Sequence, residues 1–115
     1  MMLSDMRGRH VGQAEVWAAL DGAAGGPVAE GCVGGGTGLN CYGFKGGIGT
    51  SSRVVTVAGE RYTVGVLAQA NHGRREQLRV IGVPVGRLIT DNLPTWVKPV
   101  EGSVVLVVAT NAPLT

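Results

Sequence analysis

The chain has few aromatic residues and little net charge, and both shortages argue against nucleic-acid binding. Aromatic residues make up 4% of the 115 residues and the formal net charge is +2. The stacking platforms and basic surfaces that bind nucleic acids are therefore scarce. The longest apolar run, residues 104–109, is far below the roughly 20 residues of a membrane span. We expect a soluble protein that binds neither nucleic acid nor membrane.

Cysteine is also scarce. Cys32 and Cys41 are the 2 cysteines of the chain, and neither a histidine pair nor a second cysteine pair accompanies them, as a zinc site would require. We expect two small buried thiols, because free cysteine commonly packs as a small hydrophobe.

Glycine, by contrast, is abundant and clustered. The 20 glycines are more than double the roughly 7% share of ordinary proteins, and the tract Gly25–Ser52 holds many of them. We expect a structured loop system there. A phosphate-binding loop does not fit, because Gly31 is followed at the required spacing by Gly36 and Thr37 instead of Gly-Lys. The dinucleotide fingerprint also fails after Gly49.

The rest of the chain predicts one helix and several strands. Helical spacing of apolar residues predicts an amphipathic helix over Val11–Ala23. β-Branched residues on both sides of Gly59-Glu60 predict a hairpin, and a short strand is expected over Leu78–Val83.

The last strand, Val104–Thr110, is apolar on both faces, so we expect it to be central in a sheet. Trp96 is expected to be a core anchor. One early helix and several strands predict an α+β layered domain. Because a central strand near the chain end has few neighbours available, we expect this single domain, residues 1–115, to be incomplete.

No Gly-x-Ser-x-Gly motif is present, and His10 and His72 have no evident serine partner. His72 and the stretch Arg74–Glu76 are interpreted as solvated loop. Ser103, which follows Gly102, has two interpretations. It is either the entry to a strand or, if the Gly102–Ser103 bond is cut, a terminal residue that carries both a hydroxyl nucleophile and an α-amine.

Ordered sequence blocks decide between these interpretations. In order along the chain they are "GGPVAEG" at residues 25–31, "VGGGTG" at 33–38, "FKGGIGTSSR" at 44–53, "QANHGRRE" at 69–76 and "GSVVLVVAT" at 102–110. Together they resemble the self-processing family of DmpA-type L-aminopeptidase D-Ala-esterase/amidases and β-peptidyl aminopeptidases. The resemblance extends from about Asp5 to the last residue.

The resemblance implies part of an αββα sandwich of the DmpA and ornithine acetyltransferase type. It implies that residues 1–102 end the α-chain, that residues 103–115 begin the β-chain, and that the precursor cleaves itself at Gly102–Ser103. Ser103 is then the nucleophile, and Asn71 resembles the family's asparagine of the oxyanion hole. From the residues alone, the favoured interpretation of Asn71 is a turn residue before His72 and Gly73.

The resemblance further implies an aminopeptidase that releases N-terminal residues from peptides, amides or esters, of D-alanyl or β-amino acid type, with no metal or organic cofactor. It implies homo-oligomers of αβ units and a cytoplasmic protein, with the periplasm as the alternative. The family's further serine, glutamate and tyrosine lie outside this chain, so the chain alone is expected to be inactive. Asn111 stands where relatives are expected to have aspartate.

Two alternatives remain from the sequence. One is an acyltransferase of the ornithine acetyltransferase type, which shares the layered fold but uses a threonine nucleophile, so Ser103 argues against it. The other is a non-catalytic glycine-loop binding or assembly protein.

Overall fold

A computed structural model describes residues 5–94 and 102–113. The predicted helix is confirmed as α1, Gln13–Asp21. It begins where the Glu15 carboxylate accepts a 2.8 Å hydrogen bond from the Gly12 N–H, and it ends at Gly22. No side chain of α1 is buried in the described residues, and Trp17 is 55% exposed.

The glycine-rich tract contains a small antiparallel hairpin. Strands β1, Asn40–Cys41, and β2, Phe44–Lys45, pair with each other. The residues between them, Tyr42 and Gly43, have φ values of 53° and 73°. Positive φ at both central residues is typical of the type I′ turn, which suits the twist of a two-residue hairpin.

The predicted large hairpin is confirmed, with two differences. Strand β3, Gly47–Val57, pairs antiparallel with β4, Glu60–Asn71. The turn residues are Ala58 and Gly59, with φ values of 51° and 85°, so the turn lies one residue earlier than predicted. The prediction that the tract to Ser52 is loop is wrong from Gly47 onward, because the long partner β4 extends the ladder into the glycine-rich sequence.

Strand β5, Ser103–Thr110, pairs antiparallel with β4, and the sheet order is β3-β4-β5. Within the described residues β5 is therefore an edge strand, and the prediction of a central strand is wrong for this part of the chain. Its apolar side chains from Val104 to Val108 are 50–63% exposed. At its far end the Asn111 Oδ1 accepts a 2.7 Å hydrogen bond from the Thr63 N–H.

The strand predicted over Leu78–Val83 is not formed. An isolated bridge joins Val80 and Val83 around a tight turn at Ile81 and Gly82, which have φ values of 49° and 80°. No described strand lies beside this segment to extend the bridge into a ladder. The four-residue helix α2, Val85–Leu88, follows Pro84. Trp96 lies outside the described residues.

Burial is concentrated beside the sheet, at one end. Leu39 and Arg75 are the buried large side chains of the described residues, at 4% and 7% exposure. Leu39 directly precedes β1, and Arg75 lies four residues after β4 ends at Asn71. The packed part of the molecule therefore lies near the Asn71 end of β4, where β5 begins.

Candidate active site

Asn71 and Ser103 face each other where the β4–β5 ladder ends. They are register partners, and directly opposed residues of an antiparallel pair project from the same sheet face. The Asn71 Nδ2 donates a long, 3.4 Å hydrogen bond to the Ser103 Oγ. The two residues singled out from the sequence, 32 positions apart in the chain, are thus adjacent in space.

The direction of the Asn71 carboxamide is set by its other contact. Its Oδ1 accepts a 3.0 Å hydrogen bond from the backbone N–H of Asn40. A backbone N–H can only donate, so the oxygen of the carboxamide must face Asn40 and the NH₂ group must face Ser103. Asn40 was not singled out from the sequence. Its contact with Asn71 spans 31 residues, and no local pattern signals such a pairing.

Gly102 occupies a site with no room for a side chain. A Cβ at this position would lie 2.8 Å from the Cβ of His72 and 3.1 Å from its Cα. Gly102 is not among the glycines with positive φ, so close approach to His72, and not left-handed backbone, requires glycine here. The chain therefore passes tightly over the end of β4 immediately before Ser103.

His72 is packed rather than solvated, contrary to the prediction. Its side chain is half-buried, and its ring meets the Tyr42 ring edge-on with centroids 5.3 Å apart. Its carbonyl accepts a 2.8 Å hydrogen bond from the Tyr42 N–H. Tyr42 also covers Gly73, where a Cβ would meet the Tyr42 ring at 2.4 Å. The β1–β2 turn therefore lies against the chain that leaves Asn71.

Arg75 corrects a second prediction, because it is buried and not part of a solvated loop face. Its guanidinium donates to the carbonyls of Tyr42, Gly43 and Ile89, at 3.0, 2.7 and 3.3 Å. The same group lies 3.6 Å over the centre of the Phe44 ring, a cation–π arrangement. No local pattern in the sequence signals this burial, because the three carbonyls that accept from the guanidinium lie 33, 32 and 14 residues away in the chain.

Several backbone amides of the glycine tract are used for hydrogen bonds within the fold. Gly31 and Ile48 exchange hydrogen bonds of 2.7 and 2.9 Å, and the Gly36 N–H donates to the Val33 carbonyl at 2.8 Å. A Cβ on Gly47 would lie 2.1 Å from the Gly31 oxygen. The glycines thus allow backbone to pack on backbone. This use differs from that of a phosphate loop, whose amides face the ligand.

An open groove of about 540 Å³ lies on the sheet. Side chains of a strand alternate between faces, so Val107 and Ala109 share the face of Ser103, and their register partners Leu67 and Gly65 share the face of Asn71. All four line the groove. Ser103 lies four residues from Val107, roughly 13 Å along the strand at about 3.3 Å per residue.

The cysteines do not form a shared site. Cys32 is exposed and donates from its Sγ to the Gly46 carbonyl at 3.2 Å, and Cys41 is half-buried. The prediction of two buried thiols is therefore wrong for Cys32. Across residues 5–94 and 102–113, no group of three His, Cys, Asp or Glu side chains is placed to hold a metal ion. No helix in those ranges is long and apolar enough to cross a membrane.

Comparison with solved structures defines the class of protein. The chain superposes with a TM-score of 0.86 and 49% identity on the L-aminopeptidase D-Ala-esterase/amidase of Ochrobactrum anthropi, described as a prototype for the serine aminopeptidases and a new variant among the Ntn hydrolase fold. That match covers 96% of this chain and 29% of the other. A Burkholderia β-aminopeptidase matches with a TM-score of 0.86 and 50% identity, over 98% of this chain and 30% of the other. The α+β fold is thus part of this Ntn hydrolase variant.

Sequence comparison gives the family. The model of peptidase family S58 matches residues 1–115, and the chain belongs to that family. It is 53% identical to the β-peptidyl aminopeptidase BapA of Sphingosinicella xenopeptidilytica, over 97% of this chain and 31% of BapA. The chain thus spans about a third of the length of this relative. The resemblance inferred from the ordered sequence blocks is confirmed.

Proposed function

We propose that this chain carries the maturation site and the nucleophile of a self-processing serine aminopeptidase. The observation that carries the proposal is the 3.4 Å contact from the Asn71 Nδ2 to the Ser103 Oγ, directly after Gly102. A hydroxyl, an N–H donor held in place and a residue without a side chain thus lie together at the start of β5. Ser103 is the proposed nucleophile, and Asn71 is the proposed donor to the oxyanion.

The first reaction is self-cleavage of the Gly102–Ser103 bond. The Ser103 Oγ attacks the Gly102 carbonyl carbon, and the hydroxyl proton passes to the Ser103 nitrogen as the C–N bond breaks. An ester now joins the Gly102 carbonyl to the Ser103 Oγ, and the α-amine is free. Water hydrolyses the ester, which yields the Gly102 carboxylate and restores the hydroxyl. The two chains would then comprise residues 1–102 and the segment starting at Ser103.

The second reaction is hydrolysis of substrate by the freed Ser103. An α-amine has an ordinary pKa of about 7.7–8.0, which suits a group that accepts and returns the hydroxyl proton near neutral pH. Attack on the substrate carbonyl places negative charge on its oxygen. A donor fixed in advance stabilises that charge, and the loss of one such donor costs about 3–4 kcal/mol. The Asn71 NH₂, held by Asn40, is suited to this role.

The family and the names of its relatives support a proposal for the substrate class. We propose release of N-terminal residues from peptides, amides or esters, since the similar proteins are named as a β-peptidyl aminopeptidase and an L-aminopeptidase D-Ala-esterase/amidase. Because the chain spans about 31% of BapA, residues 1–115 are proposed to be part of a longer precursor. That precursor would supply the remaining catalytic partners and cover the exposed sheet.

Intact-mass analysis of the longer precursor tests the proposal. We expect two chains that separate between Gly102 and Ser103, and release of p-nitroaniline from D-alanyl and β-homo-amino-acyl anilides. The variant Ser103→Ala should remain a single chain and should release no p-nitroaniline. A precursor that stays uncut, or a Ser103→Ala variant that retains turnover, would contradict the nucleophile assignment.

A further inference from the structure

Arg75 is a buried cation to which the proposed reaction assigns no part. A buried charge is costly unless its hydrogen-bonding capacity is satisfied. Within residues 5–94 and 102–113 no carboxylate forms an ion pair with Arg75. Its guanidinium bonds instead to three backbone carbonyls and lies against the Phe44 ring. Arg75 thus ties the β1–β2 turn to the carbonyl of Ile89, just after α2.

Hydrogen bonds connect the β1–β2 turn, which Arg75 holds, to the end of β4. Within the turn, the Gly43 N–H donates to the Asn40 Oδ1 at 3.2 Å. From the turn, the Tyr42 N–H donates to the His72 carbonyl at 2.8 Å, and the Asn40 N–H donates to the Asn71 Oδ1 at 3.0 Å. Each link is a specific hydrogen bond, and together they lead from the guanidinium to the carboxamide opposite Ser103.

We propose that Arg75 is a positioning residue for the reaction. It fixes the β1–β2 turn so that the Asn40 N–H holds the Asn71 carboxamide with its NH₂ group toward Ser103. Without this support the carboxamide is free to rotate, and a rotated carboxamide presents oxygen, a hydrogen-bond acceptor, to the reacting centre. The proposal rests on the proposed roles of Ser103 and Asn71, and it adds a residue that touches neither.

Lysine should not fully replace Arg75. The guanidinium presents donors along diverging directions, to Gly43 on one side and Ile89 on the other, while its flat face covers the Phe44 ring. An ammonium group is a single point and cannot match this geometry. The variant Arg75→Lys keeps the charge but loses part of the tether, so an intermediate rate is expected.

A double-mutant cycle on the longer precursor tests the proposal. The rate of cleavage at Gly102–Ser103 is measured by intact mass for the unmodified chain, Arg75→Met, Asn71→Ala and the double variant. Since misplacement by about 1 Å can cost about 100-fold in rate, we expect Arg75→Met to slow cleavage on the order of 10- to 100-fold. If Arg75 acts through Asn71, Arg75→Met should add little in the Asn71→Ala background.

Two further variants separate positioning from folding. Arg79 is an exposed arginine that donates to a turn carbonyl, Gly82, at 3.2 Å, so Arg79→Met is the matched control and should cleave at the unmodified rate. Thermal unfolding is measured for every variant. If Arg75→Met does not fold, the cycle is run with Arg75→Lys, for which a smaller effect that is also lost in the Asn71→Ala background is expected.

The outcomes distinguish the positioning role of Arg75 from the proposed roles of Ser103 and Asn71, on which it rests. If Asn71→Ala cleaves at the unmodified rate, the proposed role of Asn71 fails and the positioning role of Arg75 fails with it. If Asn71→Ala cleaves slowly, two results overturn the positioning role alone. In the first, Arg75→Met slows cleavage by the same factor in the unmodified chain and in the Asn71→Ala variant. In the second, it slows cleavage in neither. A loss of thermal stability with no change in cleavage rate also overturns it.

Discussion

Gly102 approaches His72 so closely that a Cβ at position 102 would lie 2.8 Å from the Cβ of His72. The neighbouring atom is not the end of a flexible side chain, and the His72 Cα is also near, at 3.1 Å. Any side chain at position 102 therefore requires a shift of the backbone at the start of β5 or at the end of β4. We expect either shift to change the position of the Ser103 Oγ relative to Asn71.

We expect Gly102→Ala to slow self-cleavage of the precursor by at least about 10-fold, because reacting groups lose rate steeply when misplaced. Intact mass against time provides the rate. Gly25→Ala is the matched control, since a Cβ there meets nothing within 4 Å, and it should cleave normally. Adding His72→Gly to Gly102→Ala should recover part of the rate. Normal cleavage by Gly102→Ala alone would show that the close approach is unimportant.

Asn71→Asp should distinguish the donor role of Asn71 from a purely structural one. Aspartate has nearly the same shape and retains an oxygen for the Asn40 N–H, which now donates at 3.0 Å to Asn71. An ionised carboxylate, however, has no N–H for Ser103. We expect cleavage and anilide hydrolysis to fall about 10²- to 10³-fold, the usual effect of losing one oxyanion donor, while the thermal midpoint changes little. Asn71→Asp with near-normal turnover would remove Asn71 from the reaction.

Glu30 provides a pH-dependent test of the loop that borders the groove. Hydrogen bonds from the Thr50 hydroxyl and from the Thr50 N–H, the latter at 2.8 Å, hold the pKa of Glu30 below its usual value of 4.5. A lowered carboxyl pKa stabilises the folded state above the unfolded pKa, and this stabilisation is lost as the pH falls through the folded value.

Glu30→Gln should therefore lower the thermal midpoint at neutral pH, and the difference from the unmodified protein should shrink below about pH 4.5, the usual value for Glu30. Unfolding curves across a pH series measure the difference. Thr50→Val, which removes the hydroxyl donor, should reduce the same pH-dependent difference. If the difference in thermal midpoint between Glu30→Gln and the unmodified protein stays constant with pH, the stabilising role of the ionised Glu30 carboxylate is contradicted.

Local sequence signals predicted the helix α1 and the β3–β4 hairpin, because nearby residues determine where the helix ends and where the hairpin turns. The helix ends at Gly22, and the hairpin turns at Ala58 and Gly59, close to the glycine signal. The start of β3 at Gly47 was missed because glycines have low strand propensity, and here the pairing with Ala70 of β4 decides the structure. The strand expected at Leu78–Val83 failed for the opposite reason, because apolar sequence without a partner does not make a ladder.

The residues of the candidate site likewise fall into two groups, those that the sequence singled out and those that it did not. Ser103 and Asn71 were recognised by resemblance, since their surrounding blocks are distinctive. Arg75 was interpreted as solvated because it stands between Arg74 and Glu76, which is the usual pattern of a charged surface. Its burial depends on Tyr42 and Gly43 in the β1–β2 turn and on Ile89 after α2, which are two distant places in the chain. Contacts of this kind arise from the tertiary fold, and one sequence alone holds no direct signal for them.

The pairing of Asn71 with Ser103 makes the proposed chemistry depend on the register of β4 and β5. Asn71 and Ser103 lie opposite each other only when β5 pairs with β4 in the observed register. In that register Val64 is opposite Thr110 at one end and Asn71 is opposite Ser103 at the other. A slip of one residue would turn Ser103 to the opposite sheet face. Under the proposed mechanism, a nascent or misaligned chain holds no amide donor beside this hydroxyl, so cleavage before Ser103 is expected to begin only after the two strands have paired in the correct register.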